Sequence, residues 1–195
     1  MSLLTVWNET DPDTVLLQTT DLATIATELA PLGVSFDQWP FIELPMDATQ
    51  ETVLAAYATE VNKISTEQGY IKVDVVRLYN SGQSDWREIA DAARAKFLNE
   101  HKHDDDEVRF FVEGAGVFYL HINGKVYAVL CEAGDLMSVP EGTTHWFDMG
   151  TEPSFAAIRF FHDDDGWIGD FTGSDIASKF ADFDTLMGIR KTASA

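Results

Sequence analysis

His101-Lys102-His103-Asp104-Asp105-Asp106-Glu107 is the stretch on which the fold turns. In an extended strand alternate side chains share a face, so His101 and His103 point the same way. The three residues after His103 let the chain bend and bring Glu107 to the same centre, and from there Glu107, Arg109 and Phe111 continue one strand face. A fourth donor must come from elsewhere, and His145, which follows a glycine-rich β stretch, can supply it. Three imidazoles and one carboxylate suit a borderline first-row ion such as Fe, Ni, Co or Mn, whereas a structural zinc site usually uses thiolates and closes its shell. Four protein ligands on an octahedral ion leave about two positions open, enough for a bidentate substrate to displace two waters.

Outward from this stretch, the second half of the chain reads as short strands over 107–112, 117–122, 125–131, 136–139, 144–148 and 154–161. Asn123-Gly124 is a type I′ hairpin signal. Gly114-Ala115-Gly116, Ala133-Gly134-Asp135 and Pro140-Glu141-Gly142 mark further turns. Strands this short and closely spaced predict a sandwich or small barrel. The first half mixes strand-like runs with helical patterns, and the composition shifts near residue 100. Helices are expected over 21–29, capped by Asp21, over 49–65, and over 85–99, capped by Ser84 or Asp85; 73–79 reads as a strand. After Gly166 the tail returns to weak helical patterning, and its last four residues, 192–195, are expected to fray.

At 195 residues with 45% hydrophobic content, the chain can bury a core without disulfide staples, and a single domain is expected. The net charge of −20, from 33 acidic against 13 basic residues, disfavours nucleic acid and anionic membrane surfaces as partners. Cys131 is the only cysteine, so no intramolecular disulfide forms, and its apolar neighbours predict a buried, inert thiol. The first twenty residues carry Glu9, Asp11 and Asp13 but no basic residue and no apolar core, unlike a targeting peptide, and no stretch is long enough to cross a bilayer. A cytoplasmic protein is expected.

Two blocks resemble the paired motifs of the cupin superfamily: HxHxxxE followed after six residues by glycine (His101, His103, Glu107, Gly114), and GxxxxxPxGxxH (Gly134, Pro140, Gly142, His145). The glycine usual ahead of the first histidine is Ala95 here, and the asparagine usual after the last is Met149; neither is a metal ligand. A closer resemblance covers most of the chain. Glu107-Val108-Arg109-Phe110-Phe111-Val112-Glu113-Gly114 and His145-Trp146-Phe147-Asp148-Met149-Gly150, with Ile158-Arg159-Phe160-Phe161 and Gly166-Trp167, are similar to the signature runs of acireductone dioxygenases. The resemblance implies a mainly β fold, a jelly-roll-like cupin barrel with N-terminal α-helical additions. Helical and strand additions would occupy about 1–100, the barrel about 101–165 and a tail about 166–195. It implies oxygen-dependent cleavage of a methylthio-substituted acireductone in methionine salvage, with one Fe(II) or Ni(II) per monomeric chain. Iron would favour the 2-keto acid plus formate; nickel would favour methylthiopropionate, carbon monoxide and formate.

Other residues have two readings each. Arg109 shares the face of Glu107 and can orient the anionic substrate. Arg159 alternates with Ala157 and Phe161 and can do the same, or form a structural ion pair. Asp106 can accept a proton or orient a ligand imidazole, or it is a solvated charge in an acidic run. The resemblance places Phe97, Phe147 and Trp167 on an apolar pocket wall, where core packing is the ordinary alternative. His121 and His162 fall outside the expected shell. The competing functions are another cupin metal dioxygenase or isomerase, and a noncatalytic cupin that binds a metal or small ligand; the inward arginine favours an enzyme.

Overall fold

The computed structural model describes residues 2–45, 47–163 and 168–193. The chain opens on two strands, β1 (Leu3–Asn8) and β2 (Asp11–Thr19), followed by helix α1 (Leu22–Leu29) and strand β3 (Ser35–Gln38). Helices α2 (Gln50–Ala56) and α3 (Ala58–Gln68), strand β4 (Lys72–Leu78) and helix α4 (Trp86–Phe97) complete the first half. Then come β5 (His101–Lys102), β6 (Glu107–Ile122), β7 (Lys125–Glu132), β8 (Asp135–Val139), β9 (His145–Asp148) and β10 (Phe155–Phe161), and finally β11 (Asp170–Phe171) and α5 (Phe183–Ala193).

The strands form two antiparallel layers that share β6. One layer runs β11-β5-β9-β6-β7-β1-β2, and the other joins β3-β8-β6-β10-β4. Among the described residues, β2, β11, β3 and β4 each pair on one side only, so the ladder wraps the core without closing into a hydrogen-bonded ring. The inner core contains Phe111, Phe118, Val129, Met137, Phe147 and Ala157. Alternation explains why β6 is buried on both faces: Phe111 faces this core, while Phe110 and Val112 pack under α2 and α3. Among the described residues no helix is long and apolar enough to cross a membrane.

Several expectations are met. Asp21 caps α1 by accepting from the Thr24 amide at 2.8 Å. Asn123 and Gly124 adopt φ of 52° and 73°, as a type I′ hairpin requires. Cys131 is buried. Others are corrected. The helix expected over 49–65 is two helices, broken at Tyr57, whose buried ring packs 4.8 Å from Phe110 and whose Oη accepts from the Ile42 amide. The break is local: Tyr57 leaves helical dihedrals at φ −107° and ψ 22° while its amide still reaches the Val53 carbonyl oxygen, and the aromatic contact, worth about 0.5–1.5 kcal/mol, holds the ring in place. Asp85 occupies the start of α4, but neither it nor Ser84 supplies a side-chain cap there. The strands β1 and β3 were not resolved by pattern, yet β1 runs beside β7 and places Leu4 and Val6 in the inner core.

The turn expected at Gly114-Ala115-Gly116 is absent, because β6 runs unbroken for 16 residues. The glycines serve close approach instead. Gly114 has φ of 69° beside a register shift against β10, and a Cβ there would lie 1.9 Å from the Ser154 carbonyl oxygen. Gly114→Ala is therefore expected to destabilise the protein by more than about 2 kcal/mol in urea unfolding. Gly69→Ala, with φ of 83° but nothing within 4 Å, should cost only about 1 kcal/mol.

Candidate metal centre

Three elements deliver four side chains to one buried point. His101 on β5 pairs directly with His145 on β9, which in turn pairs with Leu120 of β6. His103 follows in the bend after β5, and Glu107 begins β6. All four residues are buried, and one potential ligand atom from each lies within 4.8 Å of the others. Thus the structure brings together all four residues named from spacing.

The outer nitrogens are anchored. Nδ1 of His101 lies 2.7 Å from the Asn99 carbonyl oxygen, that of His103 lies 3.0 Å from Ile168, and that of His145 lies 2.7 Å from Thr143. A backbone carbonyl can only accept, so each neutral ring carries its proton on Nδ1 and turns the Nε2 lone pair inward. Nε2 of His103 and of His145 stand 3.0 and 3.1 Å from the same Glu107 oxygen, Oε2. Lone pairs converging at that distance repel unless a cation sits among them. The donor set fits a divalent metal ion on this ground. Burial pushes His101 down to about 4, so that ring is neutral and ready to ligate near pH 7.

Glu107 is also held by Arg109, whose Nη2 lies 2.7 Å from Oε1. Burial alone would raise the Glu107 carboxyl, but the Arg109 guanidinium beside it outweighs burial and holds the group well below the usual carboxylate range. The Arg109 Cζ lies 4.3 Å from the Phe147 ring centroid, 5.3 Å from Phe118 and 5.6 Å from Phe97. The expected aromatic positions Phe97 and Phe147 therefore stand against the buried cation. A cavity of about 110 Å³ is lined by Phe97, Arg109, Met149, Phe155 and Arg159, among others. Arg159 clamps Asp74 through Nε and Nη2 at 2.8 and 2.6 Å, which is the ion pair that the sequence left open. Asp106 accepts from the Glu141 amide at 3.0 Å and lies beside the Tyr70 phenol. Trp167 lies outside the described residues.

Sequence reasoning missed the supports. Asp148 of β9 accepts both Nε and Nη2 of Arg94 on α4 and also the Phe183 amide of α5, tying three elements together next to His145. Its position three residues after His145 was a signal only in hindsight of the fold. Nor did spacing reveal that His121 bridges Glu9 and Glu100, each at 2.6 Å, with Glu100 immediately before His101.

Residues 4–169 match the ARD/ARD′ family. The chain belongs to that family. It is 59% identical to an acireductone dioxygenase of Saccharopolyspora erythraea over 97% of this chain and all of that protein. It is 55% identical to one of Frankia alni, covering all of this chain and 94% of the relative. A solved acireductone dioxygenase from Bacillus anthracis, with a cadmium ion in its active centre, superposes with a TM-score of 0.74 at 29% identity, over 88% of this chain and 98% of that one. The ARD/ARD′ fold is a cupin fold, and this member is a metal-dependent dioxygenase.

Two measurements test the centre. His145→Ala is expected to weaken Ni(II) binding at least about 100-fold, read by calorimetry and by metal content after dialysis; unchanged stoichiometry would place the fourth ligand elsewhere. The His121 bridge gives a pH signature. Burial works against its protonation, but Glu9 and Glu100 outweigh it and raise the imidazole above its ordinary value. A raised folded value means the bridge stabilises fully below pH ~6.5 and is lost as the pH climbs through the folded value. The Tm deficit of His121→Ala should accordingly be largest just below pH ~6.5 and shrink in more alkaline buffer.

Proposed function

We propose that the chain cleaves acireductone, 1,2-dihydroxy-3-keto-5-methylthiopentene, with dioxygen in methionine salvage, as a cytoplasmic monomer holding one Fe(II) or Ni(II). The observation that carries this reading is the inward-facing set of three imidazole nitrogens and Glu107, with the buried Arg109 cation next to it. The names of the relatives supply the substrate class. His101, His103, Glu107 and His145 would hold the ion. Bound there, it would serve as a Lewis acid that favours the deprotonated enediol and fixes its orientation.

The remaining work falls to side chains of this chain. Arg109 is permanently charged and desolvated, so it attracts and orients an enediolate more strongly than a surface arginine would. Phe97 and Phe147 present apolar faces suited to a methylthio chain and keep water from the carbons that react. Arg159 supplies a second cation on the wall of the same cavity. In this reading Asp106 accepts the substrate proton, while its contact with the Glu141 amide ties down the turn between β8 and β9. Trp167 is assigned to the apolar wall on resemblance alone. The open, non-thiolate donor set binds several divalent ions, so availability decides which is present. Iron would direct the products to 2-keto-4-methylthiobutyrate and formate, and nickel to methylthiopropionate, carbon monoxide and formate.

The deciding experiment loads metal-free protein separately with Fe(II) and Ni(II), supplies acireductone and oxygen, and follows substrate loss together with carbon monoxide. Acceleration is expected with both ions, and carbon monoxide with nickel alone. No acceleration with either ion overturns the reading and leaves a ligand-binding cupin.

A further inference from the structure

Asp74, Arg159 and Arg109 stand directly opposite one another on β4, β10 and β6. Residues paired across strands send their side chains to the same face. Glu107 lies two residues before Arg109 on that face, so the inner wall carries a row of carboxylate, guanidinium, guanidinium and carboxylate. The row runs from a dry end to a wet one. Side-chain exposure is 2% for Glu107 and 3% for Arg109, against 24% for Arg159 and 26% for Asp74. At the wet end Lys72, two residues before Asp74, lies 5.7 Å over the Phe161 ring, and the Arg159 Cζ lies 5.3 Å from that ring. In a chain of net charge −20, three cations are thus gathered on one strip of strand.

Two adjacent guanidiniums repel, and each needs its own carboxylate to stay in place. Glu107 serves Arg109. Asp74 serves Arg159 with a two-point grip that fixes the plane of the guanidinium, which one hydrogen bond would leave free to rotate. Without that grip the plane of the guanidinium is no longer set, and its orientation beside Arg109 is lost.

We propose that Asp74 is a positioning residue of the dioxygenase site, holding Arg159 against the cavity wall so that Arg159 and Arg109 together receive an anionic substrate. The inference rests on the reading of Arg159 given above. Asp74 acts through Arg159, so its effect falls on capture of the anion more than on turnover.

The test uses the full-length, Ni(II)-loaded protein and compares Asp74→Asn, Asp74→Glu, Arg159→Gln and the double variant Asp74→Asn with Arg159→Gln. Three readouts are taken: the KM and kcat for acireductone, the Kd for the unreactive anion 2-keto-4-methylthiobutyrate, and the exchange protection of the Arg159 Nε–H by NMR. Asp74→Asn should raise KM and Kd about tenfold, more than it lowers kcat, with bound nickel retained. The Nε–H signal should lose its protection. Asp74→Glu should recover most of the affinity, and in the Arg159→Gln background Asp74→Asn should add nothing. Should Asp74→Asn fail to fold, Asp74→Glu and Asp74→Ser carry the same comparison. An Asp74 variant that lowers only Tm, or that tightens anion binding, or that weakens it equally without Arg159, overturns the proposal. If Arg159→Gln itself leaves KM and Kd unchanged, the substrate role of Arg159 fails; if it raises them while Asp74→Asn does not, the inference about Asp74 fails alone.

Discussion

The rest of the structure depends on one buried charge, the Glu107 carboxylate. An isolated carboxylate in a protein interior is so costly that it either gives up its charge or gathers cations and hydrogen-bond donors around itself. Glu107 gathers Arg109 on one oxygen and turns the other into the space that the Nε2 lone pairs of His103 and His145 also face, where a bound cation would complete the set. That requirement places the first residue of β6, the bend after β5 and the start of β9 at a common point. Those elements cannot drift apart without stranding a charge, at a cost of about 3–5 kcal/mol when one partner of such a buried pair is lost. A divalent ion held by His101, His103, Glu107 and His145 would satisfy the same demand, so metal binding and the fold would stabilise the same arrangement.

Holding that point requires a strand long enough to serve both layers. β6 runs from the carboxylate through Gly114 and Gly116 to the hairpin at Asn123, pairing with β8 and β10 at one end and with β7 and β9 at the other. At Gly116 a side chain would collide with the Phe147 ring, the same ring that lies 4.3 Å from the Arg109 guanidinium. The absence of a methyl group in β6 therefore sets where the aromatic wall of the site stands. From outside, the Arg94–Asp148 clamp pins β9 to α4, the helix that carries the chain to His101. Packing far from the centre in sequence thereby fixes the two histidine-bearing strands relative to each other.

The clustering of the four candidate ligands was legible because their signals are local: a strand period of two and a pair of glycine-proline punctuated blocks leave few ways to arrange His101, His103, Glu107 and His145. The strands of the second half were legible for the same reason. Tyr57 shows why other features were not. Its helical pattern continues on both sides, and only the distant Phe110 and Ile42 give it reason to break the helix. Gly114 and Gly116 read as a turn, since glycine signals conformational freedom equally well whether it is used to reverse the chain or to let two backbones touch. Asp74 and Asp148 left only a weak trace, an acidic residue within an apolar strand, and which arginine each would meet depends on register across strands that no local pattern encodes.

Charge is distributed so that the exterior and the interior have opposite needs. An acidic surface keeps the protein soluble but opposes the approach of an anion, and the opposition is screened beyond about 10 Å at ordinary ionic strength. Inside, where screening is weak, the balance is set by very few groups, and arginine is the cation suited to them. Its guanidinium remains protonated when dry, lies flat against aromatic faces and matches a carboxylate edge to edge. Lysine in place of Arg109 would present a compact, strongly hydrated ammonium to Phe97, Phe118 and Phe147, losing both the stacking and the geometry that let one side chain steady Glu107 while facing the cavity. The identity of that residue as arginine, more than its charge, therefore allows the ligand shell and the pocket wall to be built from the same side chain.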